Sequence, residues 1–117
     1  MSGLTSYHAG LAAEASVARD YTARGYQIAS TRFKTASGEI DLIARKDDRL
    51  IFVEVKKSRS FAKAAAALSQ RQMMRIYTAA SEFLAGEPKG QESDARFDVA
   101  LVNGEGQIDI VENAIFA

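Results

Sequence analysis

Two short apolar runs, Gly38 to Ala44 and Leu50 to Lys56, set the tightest limit on what this chain can fold into. Both are rich in β-branched residues, and the charged stretch Arg45-Lys-Asp-Asp-Arg49 separates them, so they read as paired strands joined by a tight turn. Side chains alternate along a strand, which places Phe52, Glu54 and Lys56 on one face and Ile51, Val53 and Val55 on the other. Both faces are apolar for most of the second run. It is therefore expected to be a central strand covered on both sides, with its charges emerging at the far end. Asp41, between Ile40 and Leu42, is expected to join Glu54 and Lys56 there.

One reading of that cluster is a semi-buried ion pair with a spare carboxylate. Such a pair is a poor stabiliser, because removing each ion from water costs several kcal/mol, at roughly the scale of the attraction regained. Perturbed charge clusters more often mark sites. Two carboxylates supply hard oxygen ligands for Mg²⁺ or Mn²⁺, and a lysine beside them can orient an attacking water or neutralise charge growing on a phosphate. Asp41, Glu54 and Lys56 are thus the candidate catalytic residues, with Asp41 and Glu54 as metal ligands.

A third acidic ligand is expected from the first helix. Residues from about Tyr7 to Arg24 are alanine-rich and free of proline, and Gly25 stops them. Leu11, Ala15, Ala18 and Tyr21 form an apolar stripe at helical spacing, and Glu14 lies within it. A carboxylate there is costly unless it meets a cation, although at the stripe's margin it would simply reach water.

The arrangement Asp41, then about a dozen residues, then Glu54-Val55-Lys56 resembles the D…(D/E)-x-K signature of the PD-(D/E)XK nuclease superfamily. More specifically, Gly38-Glu-Ile-Asp-Leu-Ile-Ala44 with Phe52-Val-Glu-Val-Lys56 resembles the UPF0102 (YraN-like) family, bacterial proteins related in fold to archaeal Holliday junction resolvases. The opening pattern Gly10, Ala13-Glu14, Ala18, Tyr21 and Gly25-Tyr26 is similar to that family's, as are Arg96-Phe-Asp-Val99 and Asn113-Ala-Ile-Phe116. The resemblance implies an α/β fold with a restriction-endonuclease-like αβββαβ core, a mixed sheet flanked by helices. It implies an endonuclease-like activity on DNA, with branched DNA among the substrates and a helical glutamate, Glu14, at the metal. A two-fold homodimer would suit a symmetric four-way junction. In two places the chain departs from the family. Ser58, followed by Arg59, stands where an arginine is common, and Arg71 and Gln72 stand where the long helix commonly offers a lysine.

Charge distribution adds the candidate DNA contacts. Net charge is zero, which argues against non-specific coating of DNA, yet Lys56, Lys57, Arg59, Lys63, Arg71 and Arg75 follow one another with no acid until Glu82. Starting at the proposed site, this run reads as a phosphate-guiding track. Lys57, Arg59, Arg71 and Gln72 are its candidate nucleic-acid contacts, and Gln72, on the edge of the long helix's apolar stripe, is read first as capping a nearby backbone group and second as a phosphate contact. Glu39 has either a metal-proximal or a strand-end role, and Asp98 is expected to be structural, paired with Arg96 or another base.

The rest completes the frame. The 117 residues are expected to form one endonuclease-like domain, 1–117. With no cysteine and no long apolar run, a cytoplasmic place without membrane contact is expected. Tyr26 to Phe33 reads as a polar first strand near an edge, residues 62 to about 85 as one long helix, 87–95 as a loop, and 96–111 as a closing hairpin around Asn103-Gly-Glu-Gly106. Alternative functions are a nucleic-acid-binding module with the nuclease fold but little catalysis and, more remotely, a small-molecule phosphoesterase, for which the chain offers no lid.

Overall fold

The computed structural model describes residues 3–66 and 69–114, with side chains from residue 8 onward. The elements are α1 (Gly3–Ala23), β1 (Gln27–Lys34), β2 (Glu39–Lys46), β3 (Arg49–Lys57), α2 (Phe61–Ala66), α3 (Gln70–Leu84), a 3₁₀ turn (Gly90–Glu92), β4 (Ala95–Val102) and β5 (Ile108–Val111). The strands form one sheet in the order β1-β2-β3-β4-β5. β3 and β4 are parallel and the other pairs antiparallel, so the sheet is mixed, with β3 at its centre and β1 at an edge. This is the α/β arrangement expected, compatible with a restriction-endonuclease-like core.

Helices cover both faces because β3 is apolar on both. Ala13, Val17 and Tyr21 of α1 pack on Leu42, Ala44, Ile51, Val53, Ala100 and Val102. Ile76, Ala79, Ala80 and Leu84 of α3 pack on Ile40, Ile43, Leu50, Phe52 and Phe97 on the other side. Beside α3, Ala64 of α2 meets Val99 and Leu101. Each large aliphatic or aromatic side chain so buried contributes about 1.5–3 kcal/mol. Among the described residues no helix is long and apolar enough to cross a membrane.

Three local expectations are corrected. The buried face of α1 runs through Ala13, Val17 and Tyr21, while Ala15 is exposed and Leu11 only partly covered. In an alanine-rich helix several stripes have nearly the same apolar content, so tertiary packing decides among them. The expected long helix is broken, because Ser69 begins α3 afresh and its hydroxyl accepts the Gln72 amide proton at 3.1 Å. A serine in extended conformation that satisfies an otherwise orphaned amide competes with continuation of the alanine run. Leu68, within the span expected for that helix, lies outside the described residues, as do Ile115 and Phe116. The polar segment after α3 holds the 3₁₀ turn and is tied to the sheet by Arg45–Glu87 at 2.6 Å and Arg49–Asp94 at 3.0 Å.

Asp98 is fully buried at the start of β4's inner run. Arg96 Nε donates to its Oδ1 at 2.8 Å, Tyr21 Oη to its Oδ2 at 2.7 Å, and the Asn113 amide to Oδ1 at 3.0 Å. The expected pairing with Arg96 is present. The network ties α1, β4 and the segment after β5 together, and burial beside this carboxylate pushes the Tyr21 hydroxyl's pKa far up.

Candidate functional site

The site forms where β2 and β3 part. Their ladder ends at Leu42↔Val53, and beyond it the Asp41 carboxylate accepts the Val55 amide proton at 2.8 Å. A side chain therefore takes over from the backbone as β3's partner. The register of β1 on β2 places Arg32 opposite Asp41, between Thr31↔Leu42 and Phe33↔Ile40. Arg32 has a left-handed φ of 53°, and Ile40 and Leu42 pack on opposite faces of the sheet although two residues apart. The strict alternation of a strand is thus broken at Asp41, and its carboxylate reaches both faces, lining the cleft under α3 and the hollow under α1.

Glu54 follows Phe52 on the α3 face, as expected, and is only 5% exposed. It shares a hydrogen bond with Asp41. Burial, and then the Asp41 carboxylate, push the Glu54 pKa up to about 9, against the pull of Lys56 and Gln72. Glu14, half-buried on α1, has its carboxyl pKa raised by burial and by Asp41, with Arg32 opposing. Asp41 therefore stands between Glu14 and Glu54. Glu39 pairs with Arg32 at 3.2 Å rather than with the other acids.

Lys56 does not bridge Glu54 directly. Its Nζ donates to Gln72 Oε1 at 3.0 Å, and Gln72 Nε2 donates to Glu54 Oε2 at 3.1 Å. Both ends of the Gln72 amide are engaged by the acid and the lysine of the E-x-K motif. The sequence offered only its place on a helix edge. Gln72 reaches inward because Ser69 restarts α3 one turn before it.

A cleft of about 460 Å³ opens above these groups, lined by Gly38, Glu39, Asp41 and Glu54 on the sheet side and by Ser69, Arg71, Gln72, Arg75 and Ile76 on the α3 side. Gly38 is needed for the close approach of the β1–β2 turn to α3. A Cβ there would sit 3.2 Å from Arg75 Cβ and 3.4 Å from the Arg75 carbonyl oxygen. Of the candidate DNA contacts, Arg71 and Gln72 line the cleft, while Lys57 closes β3 and Arg59 follows it, both exposed. Arg75, singled out by no motif, lines the cleft too.

The donor set suits a hard divalent cation. Two carboxyls in hydrogen-bond contact, one of them held protonated by burial, would both ionise beside a cation and supply oxygen ligands, with Glu14 flanking. Among the described residues no three acidic or histidine side chains form a metal-binding group by themselves.

Fold and site define a class: an α/β domain whose central strand carries a buried acid into an open, charged cleft, with a lysine two residues further on tied to that acid through Gln72. The chain belongs to the family described as "Uncharacterised protein family UPF0102", which it matches over residues 13–102. A UPF0102 protein of Cereibacter sphaeroides strain KD131 is 61% identical over 117 residues, covering 100% of both chains. One from Ruegeria pomeroyi is 57% identical over 112 residues, 96% of this chain and 91% of that protein. Another from Dinoroseobacter shibae is 42% identical over 111 residues, 95% of this chain and 83% of that one.

Proposed function

We propose that this chain is a metal-dependent endonuclease of the PD-(D/E)XK type, a single domain in the cytoplasm that hydrolyses phosphodiester bonds in DNA, branched DNA included. The observation that carries the reading is that Asp41, Glu54 and Gln72 line one open cleft, with Glu54 buried against Asp41 and the Lys56 ammonium bonded to the same Gln72 amide that holds Glu54. A purely structural ion pair would leave Lys56 on Glu54. Here a neutral amide, that of Gln72, lies between them and bonds to both.

Asp41 and Glu54, with Glu14 beside Asp41, are the residues that would hold Mg²⁺ or Mn²⁺. Bound there, the ion would supply Lewis acidity at the phosphate and a more acidic water. Lys56 offers a positive charge for the non-bridging oxygens as negative charge builds on them. Gln72 fixes both Lys56 and Glu54, so neither has to be ordered when substrate arrives. Arg71 and Arg75 on the opposite wall would take flanking phosphates, and the exposed Lys57 and Arg59, outside the cleft lining, would meet phosphates farther along. The cleft is open, which suits a polymer better than an enclosed small molecule.

A second reading, a DNA-binding module with little catalysis, draws support from the lack of a ready three-acid metal group among the described residues. Incubation of purified protein with duplex, single-stranded, flap and four-way DNA, with and without Mn²⁺, separates the two. Cleavage that needs Mn²⁺ and vanishes in Asp41→Asn supports the nuclease. DNA binding that ignores both, with no cleavage, supports the module.

A further inference from the structure

Arg71, Met74, Arg75 and Thr78 fall at i, i+3, i+4 and i+7 of α3 and so lie along one stripe. The stripe points away from the core, since Ile76, Ala79 and Ala80 are buried on the other side. Met74, in its middle, is 61% exposed, more than Tyr77 or Val111, the other large apolar side chains in the open among the described residues. Neither Arg71 nor Arg75 joins an ion pair among the described residues. Both arginines also line the cleft that holds Asp41 and Glu54. Whatever rests on this stripe is therefore within reach of the carboxylates.

We infer that this face of α3 is a docking surface for duplex DNA, with Met74 entering between two base pairs, so that the chain favours DNA with an already weakened base step over a uniform duplex. The inference rests on the nucleic-acid reading above and adds which element meets the duplex and what distinguishes its substrate. An apolar side chain flanked by arginines is the combination that opens a base step while the guanidiniums hold the adjoining phosphates. Methionine is unbranched and polarisable, which suits a narrow, irregular gap. Unstacking costs a few kcal/mol for a paired step and least where the base is mismatched or unpaired. The benefit of the wedge is therefore greatest at a bulge, mismatch or branch. A second copy of this chain fits the surface poorly, because a two-fold contact centred here would set arginine against arginine.

The test is equilibrium binding with Ca²⁺ in place of Mg²⁺, using the full chain and two probes: a uniform duplex and the same duplex with a single-nucleotide bulge, each with 2-aminopurine at the step. Wild type is expected to bind the bulged probe more tightly and to raise its 2-aminopurine fluorescence. Met74→Ala should lose about tenfold on the bulged probe, stay within about threefold on the uniform one, and lose the fluorescence change, while Met74→Leu restores both. Arg75→Gln should weaken both probes alike. Equal binding of the two probes by Met74→Ala and wild type, or an unmoved fluorescence signal in wild type, overturns the wedge and leaves the nuclease reading standing. A Met74→Asp chain that changes from dimer to monomer in sedimentation, with DNA binding intact, overturns it in favour of self-association. Failure of wild type to bind either probe overturns both readings together.

Discussion

Asp41 accepts the amide proton of Val55 at 2.8 Å, at the point where β2 and β3 separate. The proposed ligand is thus also a piece of the sheet, and two substitutions should separate its roles. Asp41→Asn keeps an acceptor for Val55 but removes a charged ligand, so cleavage should be lost while stability holds. Asp41→Ala leaves the amide unpaired and should cost a further ~1–3 kcal/mol in denaturant melts.

Glu54 governs how stability responds to pH. Its pKa is raised on folding, so the protonated carboxyl is the form the fold prefers. Its contribution is complete below about 4.5 and is lost as pH climbs through about 9. Thermal melts in EDTA should therefore show this loss over that window, and Glu54→Gln should flatten it. Mn²⁺ should raise the melting temperature at the alkaline end and have little effect at the acid end, because binding must displace the proton.

Gln72 spans Glu54 and Lys56 with the two ends of one amide. Gln72→Ala frees both side chains and lets them pair directly. Cleavage kinetics should then show a fall in kcat of about tenfold or more with KM nearly unchanged, the pattern of lost positioning rather than lost binding. Gln72→Glu adds a third negative charge to the cluster and should demand more Mn²⁺ for half-maximal rate.

Asp98 should behave as scaffold. Asp98→Ala removes the closest partner of Arg96, leaving it Glu112 at 3.4 Å, and strands the buried Tyr21 hydroxyl, and should destabilise the fold by ~3–5 kcal/mol. Tyr21→Phe removes one hydrogen bond to a charged group and should cost ~1.5–3 kcal/mol. At a temperature where either variant remains folded, its dependence on Mn²⁺ should match wild type.

What could be read from the residues alone follows from how local each signal was. The β2–β3 pair, the two-sided burial of β3 and the placing of Glu54 after Phe52 on one face rest on alternation within nine residues, and all are present, although Glu54 stays buried where its charge was expected to emerge. The edge position of β1 and the closing hairpin were legible for the same reason. The face of α1 was not, because alanine spreads apolar surface around the whole helix. Nor was the restart at Ser69, where a single hydroxyl competes with five alanines in the preceding seven residues. The inward turn of Gln72 and the place of Arg75 on the cleft wall depend on that restart. Arg32's left-handed backbone, opposite Asp41, is a tertiary solution with no local sequence signature.

The dual duty of Asp41 bears on what loss of activity would look like across generations. A lineage that abandons cleavage is still under pressure to keep an acceptor for Val55, which aspartate or asparagine can supply, so an aspartate there is not by itself a record of the chemistry. Lys56 is bonded through its ammonium to Gln72 alone among the described hydrogen bonds, and its side chain, unlike that of Asp41, partners no strand amide. Its disappearance, with Asp41 still in place, would be the first mark of a nuclease that has become something else.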